Sequence, residues 1–361
     1  MTTTVSVIIT SYNHAAFLAQ SVESVLAQTH APLEVFVIDD ASTDGTKEVL
    51  QTFTHPSVRV LVQPRNMGPS IATNRVLKEI QGDFVAIIGS DDRWHPEKLA
   101  RQLEMMQTKL NAGAIFTYPA LTGDNGAVYD QREHPHYRHF LHGNKTRIEW
   151  LDHLFRIGNC FCAPSAMIRR SVIDCIGGFD PALLQLQDYD YWVRMAVAGY
   201  DFYVIEEPLT LYRFPLEGGN LSASKPATRR REFVEYVYVL KHFADLRSLE
   251  DCFGIFHHVH RKEVDASLIP FYVARAAIHY GPPQHRAAGV ELLMGIMRNQ
   301  PILDLMYARH GVTMASLYAD IASHPLAEAV DNSTWRKRFT RFVLQNLPPT
   351  FECRLRELLK R

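Results

Sequence analysis

Four short apolar runs, separated by longer stretches with helical periodicity, dominate the first 118 residues of the chain. The runs are residues 5–10, 34–38, 58–62 and 84–89. A helix with one apolar stripe is predicted over residues 15–28, between the first two runs. Ser42 is the predicted N-cap of the next helix, and a later helix that opens at Pro96 is predicted to have Leu110 on its buried face. Strand–helix–strand connections of this length force parallel pairing and right-handed crossovers. The sequence therefore predicts an α/β fold with a Rossmann-like, doubly wound, mostly parallel sheet.

Polar residues follow the predicted strands where they end. Thr10 follows the first strand, Asp39 and Asp40 the second, and Asp91 and Asp92 the strand over residues 84–89. Such sheets bind ligands beyond the carboxyl ends of their strands, so these side chains should meet at one edge. Adjacent carboxylates repel unless a cation lies between them, and a divalent metal carrying a phosphate would explain the pair. A solvated turn with an Asp N-cap is the alternative.

Composition limits the functional classes. The 361 residues indicate one large or two ordinary domains, and a net charge of −1 predicts no general attraction to nucleic acid. No apolar stretch reaches the roughly 18 to 20 residues that span a bilayer, and the N-terminus does not resemble a signal peptide. Five cysteines, an odd number, favour a reducing compartment. We therefore expect a cytoplasmic protein, which could act at the inner face of the membrane.

Two groups of cysteines and histidines are predicted not to bind a metal. Cys160 and Cys162 lack a second pair at zinc spacing, which favours ordinary apolar roles. Four histidines crowd residues 134–142, where we favour a solvated surface over a mobile loop that faces an acceptor.

Residues 119–160 are predicted to be less regular, and further strands are predicted over residues 165–169 and 202–205. Strand signals fade after about residue 220, and the rest reads as mainly helical. The predicted domains are residues 1–220 and 221–361, the second for acceptor, oligomer or membrane-surface contact. Basic residues interleave with apolar ones in the last thirty positions: Arg336, Lys337, Arg338, Arg341, Arg354, Arg356, Lys360 and Arg361. A basic amphipathic helix can lie on an anionic membrane, which predicts peripheral membrane contact; an ordinary packing helix with a solvated basic face is the equal alternative.

Six segments together resemble the successive motifs of family 2 glycosyltransferases, over roughly residues 4–215. They are residues 5–13 (VSVIITSYN), 37–46 (VIDDASTDGT), 66–68 (NMG), 90–92 (SDD), 177–180 (GGFD) and 187–190 (QDYD). The resemblance, to the type that builds bacterial cell-surface polysaccharides, implies a GT-A fold and an inverting mechanism. It also implies a nucleotide-sugar donor and a divalent cation, Mn²⁺ or Mg²⁺.

The resemblance also assigns donor residues. The predicted donor-binding set is Thr10, Tyr12, Asn13, Asp39, Asp40, Asn66, Gly68 and Asp91. Tyr12 can stack on a base, although a partly buried turn tyrosine is the alternative. Asp40 can accept the imide proton of a uracil-like base, while Asp39 is better suited to hold the strand end. Asp92 is the first choice for the metal, with Asp91 on the ribose or sharing the ion.

Asp188 matches the general base of the family, at the start of a helix whose dipole favours its ionised form. Asp190 is an alternative base. Gln187 stands where the family usually has Glu, and could contact an acceptor or position Asp188. Trp192 could stack on an acceptor sugar, but packing of its helix against the sheet is favoured.

Two departures from the family pattern bear on activity. Thr73 stands where many members have Arg, with Arg65 or Arg75 as substitutes, and the Gln-x-x-Arg-Trp motif of processive synthases does not appear. The sequence thus predicts a metal-dependent, non-processive enzyme that uses a nucleotide-diphosphate sugar, with UDP favoured. Its acceptor would be a saccharide or lipid-linked saccharide. The alternative is a catalytically inactive nucleotide-sugar or glycan-binding module. A nucleotidyltransferase is disfavoured, because the sequence lacks a Gly-rich phosphate loop near the N-terminus.

Overall fold

A computed structural model describes residues 3–130, 134, 136–214, 226–256 and 264–322. The chain divides into two compact units, Met1–Ile269 and Pro270–Arg361. The predicted boundary between residues 220 and 221 lies outside the described residues, as does the basic segment over residues 336–361. Both stay predictions.

The first unit is built on one eight-stranded sheet with the order β3-β2-β1-β4-β7-β6-β8-β5. The strands are β1 (Val5–Ser11), β2 (Glu34–Asp39), β3 (Val58–Val62), β4 (Phe84–Gly89), β5 (Arg93–Trp94), β6 (Ala112–Thr122), β7 (Met167–Arg169) and β8 (Asp201–Arg213). The α/β prediction is confirmed, and the bounds predicted for β3 and β4 are those observed.

Strands β1 to β4 are parallel, as predicted, and their ends are in register. Thr10 of β1 lies opposite Ile38 on one side and Gly89 on the other. Strands β1, β2 and β4 are almost entirely buried, because helices cover both faces of the sheet, and this explains their continuous apolar runs. The residues that follow these three strands therefore emerge at one edge.

The other half of the sheet is mixed. β7 is antiparallel to both β4 and β6, whereas β6 and β8 run parallel. The segment 165–169, predicted as a strand, forms a 3-10 turn over Ala163–Ser165 and the short β7. β8 extends the strand predicted over residues 202–205 as far as Arg213. This extension brings Arg213 to the site edge.

The helices of the first unit lie between or after these strands. They are α1 (Leu18–Leu26), α2 (Thr46–Leu50), α3 (Pro69–Leu77), α4 (Lys98–Thr108), α5 (Arg147–Arg156), α6 (Arg170–Ile176), α7 (Gln187–Val197), α8 (Pro226–Leu240) and α9 (Leu249–Ile255). Thr146 and Glu149 form a capping box at the start of α5, which places a helix in a segment predicted to be irregular. Leu110, predicted on a buried helix face, is exposed because α4 ends at Thr108.

Four helices follow: α10 (Ile269–Tyr280), α11 (Pro283–Ile296), α12 (Gln300–His310) and α13 (Met314–Ala322). A Cβ on Gly289 of α11 would lie 2.6 Å from the carbonyl oxygen of Ala274, so glycine permits close packing of α10 and α11. The mainly helical character predicted after residue 220 holds for the described residues. None of the described helices is both long and apolar enough to cross a bilayer.

Candidate functional site

The ends of β1 and β2 form the first wall of the site. Tyr12 is 43% exposed, so its ring is open to a stacking partner. Asn13 has φ +56° and its side-chain oxygen accepts from the backbone N–H of Thr43 at 2.7 Å. Ala41 has φ +63°, a conformation costing about 1 to 2 kcal/mol for a residue other than glycine. Thr10 is partly exposed beside them. The edge is thus held in one defined backbone conformation.

Asp40 clamps the Asn66–Gly68 segment to the end of β2. Its two carboxylate oxygens accept from the backbone N–H groups of Met67 at 2.8 Å and Gly68 at 2.7 Å. Gly68 has φ +87°, which glycine adopts without strain, and Asn66 is exposed. Asp40 is buried, so its structural task is to set this loop. The predicted contact with the base would use a lone pair left on the same oxygens.

Asp39 has the strand-end role suggested for it, and its predicted place among the donor contacts is not supported. The side chain is fully buried and accepts from the backbone N–H and the hydroxyl of Ser42. Ser42 was predicted to be the N-cap of the next helix, but α2 begins after Gly45, so that prediction is wrong. Ser42 instead ties Asp39 to the backbone of Asn13 through a 2.8 Å hydrogen bond.

Asp91 and Asp92 converge above Gly89, the last residue of β4. A Cβ on Gly89 would lie 2.8 Å from Oδ1 of Asp91 and 2.8 Å from Oδ2 of Asp92, so only glycine leaves this space open. Asp92 is buried, and burial together with the charge of Asp91 raises its pKa well above the ordinary value. Asp91 is partly exposed, with its Oδ1 3.9 Å from Nδ1 of His14. Because Asp92 is buried and Asp91 is partly exposed, the two carboxylates can have different roles.

Arg213, which sequence reasoning missed, supports this pair. Its backbone N–H donates to Oδ1 of Asp92 at 2.8 Å, leaving Oδ2 toward the space above Gly89. Its buried guanidinium donates to the carbonyl oxygens of Asp91, Gly123 and Asp124 at 2.9, 2.7 and 2.5 Å. An arginine at the end of an irregular strand carries no local signal of this role.

The carboxylates fit a hard divalent cation. Asp91 Oδ1 and Asp92 Oδ2 are oxygen ligands of the kind that Mg²⁺ and Mn²⁺ prefer, and they approach the same point above Gly89. A buried carboxylate beside another carboxylate gains most from a cation, because the cation offsets both burial and repulsion.

Asp188 lies in the first turn of α7, held by two hydrogen bonds. Oδ2 accepts from Nδ2 of Asn159 at 2.7 Å, and Oδ1 accepts from its neighbour, the Tyr189 N–H, at 2.8 Å. Burial raises the pKa of Asp188 to about 6, although both hydrogen bonds act to lower it. The predicted position at a helix start is observed, and burial opposes the ionised form that the helix dipole favours. The carboxylate is still mainly ionised at pH 7.

The charges of Asp188 and Asp92 both affect the pKa values of Cys162 and Tyr212. Burial raises the pKa of Cys162 and Tyr212 well above ordinary values, and the charges of both aspartates raise it further. The candidate metal-binding and base carboxylates are therefore both near Cys162 and Tyr212.

Glu235, on α8, fixes the loop that leads into α7. Its carboxylate accepts three backbone N–H groups, from Leu184 at 3.1 Å, Gln185 at 2.8 Å and Leu186 at 2.7 Å. The side chain is buried, and it satisfies the N–H of the N-cap residue Leu186 together with two N–H groups of the loop before it. Sequence reasoning missed this residue, since its partners are about fifty positions away.

Both carboxylate oxygens of Asp190 are used in structural hydrogen bonds, so Asp190 is excluded as an alternative base. It is fully buried and accepts from Nε of Arg194 at 2.7 Å and from Nε2 of His242 at 2.9 Å. Burial alone would lower the pKa of His242, but hydrogen bonds to Asp190 and Asp245 and the charge of Asp190 raise it to about 9. The pair ties α7 to the segment after α8.

The two predicted acceptor residues differ. Gln187 is partly exposed, and its buried Oε1 has no hydrogen-bond partner among the described residues, so it can still accept from a ligand. Trp192 is 1% exposed and packs edge-on against Phe116. The acceptor contact predicted for Trp192 is therefore wrong for this conformation: its ring belongs to the core.

The positions that depart from the family pattern are ordinary in the structure. Thr73 is buried and its hydroxyl donates to the carbonyl oxygen of Pro69. Arg75 donates to Gln63 and to the carbonyl oxygen of Val62, so it is occupied at the end of β3. Arg65 is exposed and is the better placed of the two to meet a phosphate.

Comparison with known proteins adds independent findings. The family profile "Glycosyl transferase family 2" matches residues 6–177. A Bacillus subtilis (strain 168) protein named as a teichuronic acid biosynthesis glycosyltransferase, TuaG, is 31% identical over 235 residues, covering 64% of this chain and 86% of TuaG. The Escherichia coli enzyme named UDP-Glc:alpha-D-GlcNAc-diphosphoundecaprenol beta-1,3-glucosyltransferase WfgD is 38% identical over 124 residues, covering 34% of this chain and 49% of WfgD.

Solved structures share the fold. S. aureus TarS 1-349 superposes with a TM-score of 0.55 at 17% identity, covering 88% of this chain and 89% of that one. Its complex with UDP-GlcNAc superposes with a TM-score of 0.53 at 18% identity over the same shares. The expected GT-A arrangement is confirmed.

Proposed function

Because this chain belongs to glycosyl transferase family 2 and is a glycosyltransferase, we propose that it transfers one sugar, with inversion, from a nucleotide-diphosphate donor to a saccharide acceptor. The observation that carries the proposal is Asp188. This partly exposed carboxylate has a pKa of about 6, is oriented by Asn159, and, like Asp92, lies close enough to Cys162 to raise the pKa of its thiol.

The donor half is assigned to the edge of β1, β2 and β4. Tyr12 offers an exposed ring for a base, with Thr10, Asn13 and the exposed Asn66 around it. Asp40 contributes by holding the loop that carries Asn66 and Gly68. A uridine nucleotide is the favoured donor, because a uracil imide would suit the acceptor oxygens of Asp40 and Thr10.

Asp92, with Asp91, would hold Mn²⁺ or Mg²⁺. Bound there, the ion would neutralise the charge that develops on a departing diphosphate. The chain itself prepares this place: the Arg213 N–H orients Asp92, and Gly89 leaves the space above the strand open.

Asp188 would act on the acceptor. Inversion requires the acceptor hydroxyl to attack the anomeric carbon from the face opposite the leaving group, and the hydroxyl loses its proton as the bond forms. A carboxylate with a pKa near 6 is ionised at pH 7 yet basic enough to share that proton. The Asn159 amide holds Oδ2 in place, and the carboxylate oxygens keep further lone pairs that would accept this proton.

The acceptor and the site of action are proposed more broadly. WfgD is named for action on a diphosphoundecaprenol-linked sugar, which supports a lipid-linked saccharide acceptor here. Such an acceptor would place the enzyme at the inner face of a membrane. Contact through the basic C-terminal segment remains a sequence prediction.

Two variants test the proposal. Asp188→Asn should abolish transfer while nucleotide binding stays within a few-fold, and Asp92→Ala should remove metal-dependent donor binding. Donor binding is measured by calorimetric titration with Mn²⁺, after a thermal-shift panel of nucleotide sugars has chosen the donor. Near-normal transfer by Asp188→Asn refutes the base assignment. Nucleotide binding by the unmodified chain, with neither transfer nor slow donor hydrolysis, would support the binding-module alternative that Gln187 and Thr73 suggest.

A further inference from the structure

Three side chains that carry metal-ligand atoms gather around α5, separate from the strand-end carboxylates. They are His142, in the turn after the 3-10 segment Tyr137–Phe140, His153 on α5, and Cys160 just beyond that helix. One ligand atom from each lies within 4.8 Å of the others. The imidazole rings of His142 and His153 have centroids 4.6 Å apart.

Both histidines present an unprotonated ring nitrogen. Nε2 of His142 lies 3.0 Å from the carbonyl oxygen of His139 and donates to it, which leaves Nδ1 as the lone-pair atom. A backbone carbonyl bound to the far ring nitrogen is the usual partner of a metal-ligating histidine. Burial, then the charges of His142 and Lys145, lowers the pKa of His153 to about 4, so its ring is neutral.

One of these nitrogens is also unsatisfied. Nε2 of His153 is buried and has no hydrogen-bond partner among the described residues. A buried polar atom without a partner carries a desolvation cost that a coordinated ion would offset.

Cys160 supplies the third atom. It is 3% exposed, and burial raises the pKa of its thiol to about 12, so the thiol is protonated without a metal and would release its proton on coordination. Cys160 and His142 also line a small cavity together with Phe116, Phe140, Cys162 and Val204. This cavity leaves room beside His142 and Cys160.

We propose that His142, His153 and Cys160 bind one Zn²⁺ ion, with a water molecule as fourth ligand. Two imidazoles and a thiolate suit zinc, whereas the carboxylate pair at Asp91 and Asp92 suits Mg²⁺ or Mn²⁺. The reading of Cys160 as only an apolar residue would then be wrong. Its spacing from the histidines matches no standard motif, so only the fold brings the three together.

The site has a consequence for the base. Asn159, which holds Asp188, is the neighbour of Cys160, and its side-chain oxygen accepts from the Phe161 N–H at 3.1 Å. Zinc would therefore fix the segment that positions the base without touching either substrate.

The test uses the full chain, stripped of metal by chelation, and titrates it with Co²⁺ in excess Mg²⁺ and a non-thiol reductant. Mg²⁺ occupies oxygen sites, and only a thiolate ligand gives the near-ultraviolet sulfur-to-cobalt charge-transfer band. We expect one equivalent of Co²⁺ to develop the band and one equivalent of Zn²⁺ to abolish it. Absence of the band overturns the proposal.

Matched variants locate the ion. Cys160→Ser and His153→Gln should lose the band and the thermal stabilisation by Zn²⁺, while Cys162→Ser, Cys353→Ser and Asp92→Asn should keep both. If Cys160→Ser is insoluble, His142→Gln, which retains every thiol, replaces it. Survival of the band in Cys160→Ser or His142→Gln, or its loss in Asp92→Asn, refutes the site. None of these readouts depends on sugar transfer, so this inference can fail while the proposed function stands.

Discussion

Replacing Asn159 should move the acid limb of the pH–rate profile, because the Asn159 amide stabilises the charged form of Asp188. The 2.7 Å hydrogen bond from Nδ2 lowers the pKa of Asp188, and burial still leaves that pKa at about 6. A hydrogen bond to a charged group contributes about 1.5 to 3 kcal/mol, and 1.36 kcal/mol corresponds to one pH unit. Solvent replaces part of the bond, so we expect the limb to rise by about one pH unit in Asn159→Ala.

The size of the effect then depends on pH in a defined way. With a pKa of about 6, about half of the enzyme has Asp188 ionised at pH 6 and about nine-tenths at pH 7. If the pKa rises by about one unit, these fractions fall to about one-tenth and one-half. Transfer should therefore fall about fivefold at pH 6, only about twofold at pH 7, and little at pH 8.

The assay is the pH dependence of kcat at saturating donor and acceptor. Asn159→Asp is the sharper companion variant, because it keeps the oxygen that accepts from Phe161 but replaces the donor to Asp188 with a second carboxylate. Its acid limb should lie above that of Asn159→Ala, since like charges raise a carboxyl pKa. A loss of activity that is the same at every pH, or an unmoved limb in both variants, would refute the assignment of Asp188 as the titrating base.

Three further outcomes follow from contacts around the site. Glu235→Gln should lower kcat about tenfold with little change in donor KM, because the loop before α7 loses the carboxylate that holds it. Glu232→Gln on the same helix is the control. An unchanged kcat in Glu235→Gln would contradict the positioning role. Asp40→Ala should weaken nucleotide binding at least about tenfold in calorimetry, since two charge-assisted bonds to the Asn66–Gly68 loop disappear. His242→Gln should lower the free energy of unfolding in urea by about 1 to 3 kcal/mol at pH 6, and by progressively less as the pH rises through about 9. The reason is that the folded protein holds a proton on His242 that the unfolded chain releases near pH 6.5. An equal loss of stability at pH 6 and pH 10 would contradict this.

The first half of the sheet could be predicted because its signals are local. Runs such as residues 84–89 are continuous and apolar since both faces of β4 are covered, and parallel pairing then places Thr10, Asp40 and Asp92 at one edge. The pairing of the second half could not, because β7 is three residues long and antiparallel, and the register between β6 and β8 shifts twice. Its position in the sheet depends on tertiary pairing.

The supporting residues of the site were missed for a related reason. Asn159, Arg213 and Glu235 act through partners 29 to 122 positions away along the chain, so no sequence window contains both members of a pair. Trp192 shows the converse limit. An aromatic residue near a catalytic helix suggests sugar stacking, but its direction on α7 takes it into the core.

The hydrogen bond from Arg213 to Asp92 joins residues 121 positions apart in the first unit, and this sets when the enzyme can become competent during synthesis. Residues 6–177, the part that matches the family profile, contain Asp91 and Asp92 but neither Arg213 nor Asp188. A nascent chain of that length would have a nucleotide edge whose buried carboxylate lacks its backbone donor. Nucleotide or metal added to stalled chains should therefore protect them from protease only after residue 213 has left the ribosome.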